Sequence, residues 1–253
     1  MGRIFPGTLL WFGLLLAWSC AAPAPGGEVN RGERPSSVAA TAPPSPSSSS
    51  QAPPKVFRER IEWINVWIPE AQVNDRPRIL LIGDSITQGY YGTVQRLLSG
   101  KAYVGRLTTS FSVCDPKFLD VLKPILDSFR FAVIQFNNGI HGADYSLDAY
   151  SAGLDRTFRF LRMHAGGAKI VWAATTPARF RKANEDRNAQ IRARNQVALE
   201  LCRKYKIPVD DLYTLSKDLD SLHRDDFHYK AKAIQAQAQA VARFLEPLLP
   251  KNK

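Results

Sequence analysis

From residue 78 onward the chain alternates short apolar runs with segments of helical period. RILLIGDS, residues 78–85, carries four consecutive apolar side chains, Ile79 to Ile82, the pattern of a strand covered on both faces. YGTVQRLLSG (91–100) reads as a short helix stopped by Gly100, and KAYVGRLTT (101–109) as a second strand. DPKFLDVLKPILDSF (115–129) predicts a helix with Asp115 at the N-cap and Pro116 at the first helical position. FAVIQF (131–136) is a third strand, and SLDAYSAGLDRTFRFLRMHAGG (146–167) a helix opened by Ser146 and ended by its glycine pair. AKIVWAATTP (168–177) is a fourth strand, residues 184–205 a basic amphipathic helix, and IPVDDLY (207–213) a fifth strand. YKAKAIQAQAQAVARFLEPLL (229–249) closes the series as a helix. Short apolar strands separated by helices specify a parallel sheet with both faces covered, because parallel neighbours need crossover connections. The expected fold class is α/β: a three-layer α/β/α sandwich around a five-stranded parallel sheet.

Ahead of this pattern the chain reads differently. Residues 1–20 contain Arg3, then the apolar stretch TLLWFGLLLAW, then small residues, the three-part layout of an export signal. The apolar stretch is too short for a membrane span. Residues 21–54 hold almost no large apolar side chains and many Pro, Ser and Ala, so they bury too little surface to offset the entropy of ordering. They read as a disordered linker, with the folded domain over 55–253. Cys20 stands where a lipoprotein signal places its acylated cysteine, but Ala17-Trp18-Ser19-Cys20 departs from the usual lipobox, which has Leu three residues before the Cys. An ordinary cleaved signal and a lipid anchor at Cys20 both stay open. Either way the expectation is export, to the periplasm, the cell envelope or the medium.

Composition adds little chemistry. The chain has 253 residues, 45% hydrophobic, with a formal charge of +11. Its basic residues are scattered through helices and are not interleaved with aromatics, so a nucleic-acid partner is not expected. For an exported protein the charge suits an anionic envelope surface. Cys114 and Cys202 pair only if the fold brings them together, and no disulfide framework is implied.

The polar residues at the strand ends carry the candidate chemistry, since ligands of such sheets bind at the carboxyl edges of the strands. Gly83, Asp84 and Ser85 follow the first strand; Asn137, Asn138, Gly139 and His141 follow the third; Thr175 and Thr176 follow the fourth; HRDDFHY (223–229) comes after the fifth. Asp225 and His228 are three apart, close enough for the carboxylate to accept the Nδ1 proton while Nε2 faces a serine from another strand end. A hydroxyl needs such a base, because its own pKa leaves almost no alkoxide near neutrality. An asparagine after the third strand, with backbone N–H groups near the second strand and Ser85, supplies donors for an oxyanion.

IGDSIT, FNNGIHG and DDFH, in this order and on this strand pattern, resemble the SGNH/GDSL hydrolase superfamily of serine esterases, in particular a bacterial subgroup with IGDSI, FNxGLH, a TTP segment and RDxxH. EWINVWIPEAQ ahead of the first block is also similar, so the resemblance spans roughly residues 60 to 250. It implies a flavodoxin-like fold with Ser85 as nucleophile, His228 as general base and Asp225 as its orienting acid. Asp226 fits the spacing worse and reads as a cap of the last helix. Asn137 is the expected side-chain oxyanion donor, with Asn138 as runner-up. For the backbone oxyanion amide, Gly105 has the residue type but lies early in its strand, whereas Cys114 has the better position; that role stays open. His141 lines the pocket or orders its loop.

Other chemistries fit less well. His223, Asp225, Asp226 and His228 match no zinc spacing. GDSITQG lacks the lysine of a phosphate-binding loop and the flanking glycines of the GxSxG elbow. The expected reaction is ester hydrolysis through an acyl-enzyme, with no metal or organic cofactor. Substrates rank as carbohydrate O-acetyl esters first and lipid or other acyl esters second, a ranking that rests on export and family habit. An acyltransferase with the same triad and a non-catalytic surface-binding protein of the same fold are the other readings.

Overall fold

A computed structural model describes residues 55–250. The expected export signal and linker lie outside the described residues. The elements are β1 (Ile64–Trp67), β2 (Arg78–Gly83), α1 (Ser85–Leu97), β3 (Tyr103–Thr109), α2 (Lys117–Ser128), β4 (Val133–Phe136), α3 (Leu147–His164), β5 (Lys169–Ala173), α4 (Glu185–Tyr205), β6 (Val209–Asp210), α5 (Leu212–Lys217) and α6 (Ala231–Leu245).

All five expected strands are present and parallel, in the order β3-β2-β4-β5-β6. A sixth, β1, adds antiparallel to β3 at the edge, pairing Ile64 with Thr109 and Trp67 with Arg106. Its side chains explain why it carries no sequence signal: Ile64 is 47% and Trp67 58% exposed, so no buried alternation marks it. Gly105 of β3 lies directly beneath the end of this strand, where a Cβ would sit 2.9 Å from Ile68 Cδ1 and 3.2 Å from the Trp67 carbonyl.

The alternation of the strands sorts the core into two layers. Ile79 and Leu81 point toward α1 and α6, meeting Tyr90, Val94, Val241 and Leu245. Leu80 and Ile82 point the other way, toward Phe118 of α2, Phe158 of α3 and Ala198 of α4. Every residue of β2 is buried, so this central strand is fixed from both sides. Burial of each such side chain contributes about 1.5–3 kcal/mol, which anchors whatever the strand delivers at its end.

Several element ends differ from expectation: α2 starts at Lys117 with Pro116, not Asp115, at its N-cap, and β5 stops at Ala173. Helix α1 begins at Ser85, because Asp84 caps it by accepting the Ile86 N–H at 2.9 Å, and Gly89 and Gly92 are helical. The fifth strand shrinks to two residues, because Asp211 caps α5 by accepting the Thr214 N–H. Ser146 caps α3 as expected, accepting from Ala149, and the glycine pair after it adopts positive φ. No helix among the described residues is long and apolar enough to cross a membrane.

Candidate active site

The first crossover leaves β2 toward β3 and the next runs to β4 on the opposite side, so the strand order reverses at the carboxyl end of β2. Such a switch point opens a crevice in an α/β sheet. Gly83 ends the strand there, and a Cβ at this position would lie 2.7 Å from Thr87 Cβ, so only glycine lets α1 start at once. Asp84, buried, turns inward to cap the helix, and its Oδ2 has no hydrogen-bond partner. Ser85, the first residue of α1, faces the crevice at the positive end of the helix dipole.

The loop after α5 brings the other groups. His228 Nε2 lies 2.8 Å from Ser85 Oγ, and His228 Nδ1 lies 2.9 Å from Asp225 Oδ2. Asp225 Oδ1 also accepts the backbone N–H groups of Phe227 (2.9 Å) and His228 (2.8 Å). The carboxylate therefore closes its own loop while it orients the ring, and Arg224 N–H donates to the His228 carbonyl at 2.7 Å across the same turn. Burial pushes the Asp225 carboxyl up, but the His228 and Phe227 amides and the His228 ring outweigh it and hold the acid down at about 2. An ionised carboxylate only accepts, so Nδ1 carries the ring proton and Nε2 is left to accept from the serine hydroxyl.

An open cleft of about 660 Å³ runs over Ser85 and His228. Trp63, Ile64 and Asn65 from β1 and the residue before it, Gln88 of α1, His141 of the β4–α3 loop and Arg224 form its walls. The wall supplied by the β1 segment was not foreseen from the sequence; the aromatic and acid of EWINVW, ahead of the first parallel strand, are the only local signal. His141 Nδ1 lies 2.8 Å from Glu59 Oε1, and its ring meets Trp63 edge-on at 6.2 Å.

Other expected site residues turn elsewhere. Asn137 donates both amide hydrogens within the protein, to the Ala173 carbonyl at 2.8 Å and Thr175 Oγ1 at 2.9 Å, and is not on the cleft wall. Both amide hydrogens of the expected side-chain oxyanion donor are thus engaged within the protein. Asn138 ties the loop after β3, donating to the Phe111 carbonyl and accepting from the Val113 N–H. Gly105 sits within β3 opposite Leu80, below the strand end, and the Cys114 N–H is aimed at Ser112 Oγ at 3.3 Å, so neither amide faces Ser85. Asp226 does not cap α6: its carboxylate binds Arg181 and Asn184 and so secures the segment after β5. His223 is buried against Tyr229, with Nδ1 2.9 Å from the Asp220 carbonyl. Cys114 and Cys202 are free thiols, and burial pushes the Cys202 thiol up to about 12.

No family model matches the chain, and no curated protein matches it in sequence. Solved structures do match in fold. A lipase/acylhydrolase from Enterococcus faecalis is 14% identical, over 70% of this chain and 99% of that one, with a TM-score of 0.53. An acetyl xylan esterase is 15% identical, over 66% of this chain and 99% of its own, with a TM-score of 0.53. A GDSL-like lipase from Bacteroides thetaiotaomicron is 13% identical, over 70% and 94% of the two chains, again with a TM-score of 0.53. The chain thus has the SGNH/GDSL hydrolase fold, with β1 added to the five-stranded parallel sheet.

Proposed function

We propose that the protein is an exported serine esterase that hydrolyses carboxylic esters, carbohydrate O-acetyl esters first among them. The observation that carries this reading is the 2.8 Å contact between Ser85 Oγ and His228 Nε2, with Asp225 behind the ring at 2.9 Å. Ser85 attacks the ester carbonyl as His228 takes its proton, and the tetrahedral intermediate forms at the amino end of α1, where the helix dipole favours negative charge. His228 then protonates the leaving alcohol, and water activated by the same histidine frees the acid from the acyl-enzyme. Asp225 holds Nδ1–H and stabilises the imidazolium that forms in each half-reaction.

The cleft favours a sugar on the alcohol side. It is open to solvent, and Trp63, Asn65 and Gln88 offer an aromatic face beside hydrogen-bonding amides, the combination that holds a polar ring. One of the solved structures of this fold is itself an acetyl xylan esterase. Residues 1–20 fit a cleaved or lipid-modified leader and 21–54 a tether, which would put the domain at or beyond the cell envelope.

A chain-length series of aryl esters beside a panel of acetylated polysaccharides, with Ser85→Ala as control, tests the proposal. Turnover is expected to be highest for acetyl and to release free acetate from at least one polysaccharide. Acetyl appearing on an added acceptor sugar, at the expense of free acetate, would make the enzyme a transferase. Preference for long acyl chains would replace the carbohydrate assignment with the lipid one.

A further inference from the structure

Ser85 and His228 supply a nucleophile and a base, but with Asn137 and Asn138 engaged elsewhere the expected side-chain partner for the oxyanion is missing. The same cleft holds a second histidine–carboxylate pair. His141 lines it together with Ser85 and His228, its side chain is 15% exposed, and Nδ1 is taken by Glu59 at 2.8 Å. Among the described residues, Nε2 of His141 makes no hydrogen bond, so this is the ring atom left to the cleft.

The loop that carries His141 is held from behind with unusual completeness. Arg194 of α4, 1% exposed, donates to the carbonyls of Gly139 (3.1 Å), His141 (3.0 Å) and Gly142 (2.6 Å), and stacks on Tyr150 at 4.9 Å. Arg187, two helical turns earlier on α4, donates to the remaining carbonyl, Ile140, at 2.5 Å. Four consecutive carbonyls therefore face α4. In front, Glu59 accepts from the ring and lies 3.4 Å from the Gly142 N–H, and Trp63 bounds the ring edge. A group whose ring is fixed from both sides is preorganised, which is what stabilisation of a developing charge requires.

We propose that His141, as an imidazolium held by Glu59, donates its Nε2–H to the oxyanion formed when Ser85 attacks the ester. The inference rests on the esterase reading and names its missing donor. The charged and titratable groups around His141 are Glu59 from the segment before β1, Asp84 at the β2–α1 turn and Arg187 of α4, Arg194 of α4 on its carbonyl, and Arg224 and His228, which line the same cleft. Burial works against the charged ring and Arg187 adds to that, but the hydrogen bond to Glu59 and the charges of Asp84 and Glu59 outweigh them and raise its pKa. The two histidines then have opposite requirements: His228 must be neutral to accept a proton, and His141 must be charged to donate a hydrogen bond. Loss of the His141 proton forms the alkaline limb of the rate profile.

The test compares wild type, His141→Ala, His141→Gln and Glu59→Gln with an aryl acetate and with a boronic acid as a mimic of the tetrahedral intermediate. In His141→Ala, kcat is expected to fall roughly 10²- to 10³-fold with KM within about threefold, and boronate affinity to fall in parallel. Glu59→Gln should move the alkaline limb to lower pH. His141→Gln, which keeps an N–H donor that does not titrate, should recover part of the rate and lose that limb, an outcome that a purely structural role for the ring would not produce. Turnover of His141→Ala within threefold of wild type, or a loss confined to KM, overturns the inference; should that variant not fold, an unchanged alkaline limb in both His141→Gln and Glu59→Gln does so. Absence of Ser85-dependent turnover in the wild type overturns the esterase reading and this inference with it, whereas normal Ser85-dependent turnover beside an unimpaired His141→Ala overturns the inference alone.

Discussion

Ser85 Oγ and His228 Nε2 lie 2.8 Å apart across 143 positions of sequence. The serine arrives on a central strand buried on both faces, and the histidine on a turn closed by Asp225. Members of such a pair act as a unit, so Ser85→Ala and His228→Ala should each lower turnover of an acetyl ester by roughly 10³-fold or more, and the double variant little further. Additive losses in steady-state kinetics would argue against a shared role.

Asp225 separates orientation from mere packing. Asparagine has the same shape, but its amide favours the wrong histidine tautomer, so Asp225→Asn should lower kcat by roughly 10²- to 10⁴-fold. The acid titrates at about 2 in the folded chain against an ordinary value of 3.8, so its stabilising contribution is present above 3.8 and lost as pH falls through 2. With the side chain 47% exposed, solvent screening keeps that contribution small. Thermal midpoints of Asp225→Asn and wild type should accordingly stay close near neutral pH while their rates diverge.

Asp210 makes the opposite kind of prediction. Burial, reinforced by the neighbouring Asp211 and opposed by the hydrogen bond from Gln135, pushes this acid at the end of β6 from 3.8 to about 7. The folded state then holds the proton more tightly than the unfolded chain, so the associated stability is full below 3.8 and lost as pH rises to 7. Asp210→Asn keeps an acceptor for Gln135 and removes the charge. Its thermal midpoint should exceed that of wild type at about pH 8 and lose this advantage at about pH 4. Equal differences at both pH values would mean that Asp210 does not titrate in this way.

Gly83 couples the fold to the site. A methyl group here collides with Thr87 in the first turn of α1, and displacing that turn displaces Ser85. Gly83→Ala should cost about 1–3 kcal/mol in chemical denaturation. It should also reduce kcat more than tenfold, since misplacement by an ångström is costly in a preorganised site. A variant with wild-type kcat would show that the turn absorbs the methyl without moving the serine.

Much of this architecture is readable in the chain because it rests on local physics. Ile79 to Ile82 announce a strand buried on both faces, Ser146 a helix start, and the spacing of Asp225 and His228 a carboxylate within reach of the imidazole. Strand β1 escapes because an edge strand with exposed side chains has no buried period. The choice between Asn137 and Asn138, and whether His141 lines the cleft or only orders its loop, escape for another reason: which of several neighbouring loop residues faces a cleft depends on how Arg187 and Arg194, on a helix some 50 positions away, hold the backbone. Glu59 and Trp63 are likewise joined to His141 only through the folded chain.

Everything proposed for the cleft depends on Ser85 being a nucleophile activated by His228. Reaction of the folded protein with a fluorophosphonate, followed by peptide mapping, decides this. The expected result is one adduct, on Ser85, absent in Ser85→Ala and formed much more slowly in His228→Ala. Equal labelling of Ser85→Ala, or an unlabelled Ser85 in the folded wild-type protein, would contradict it.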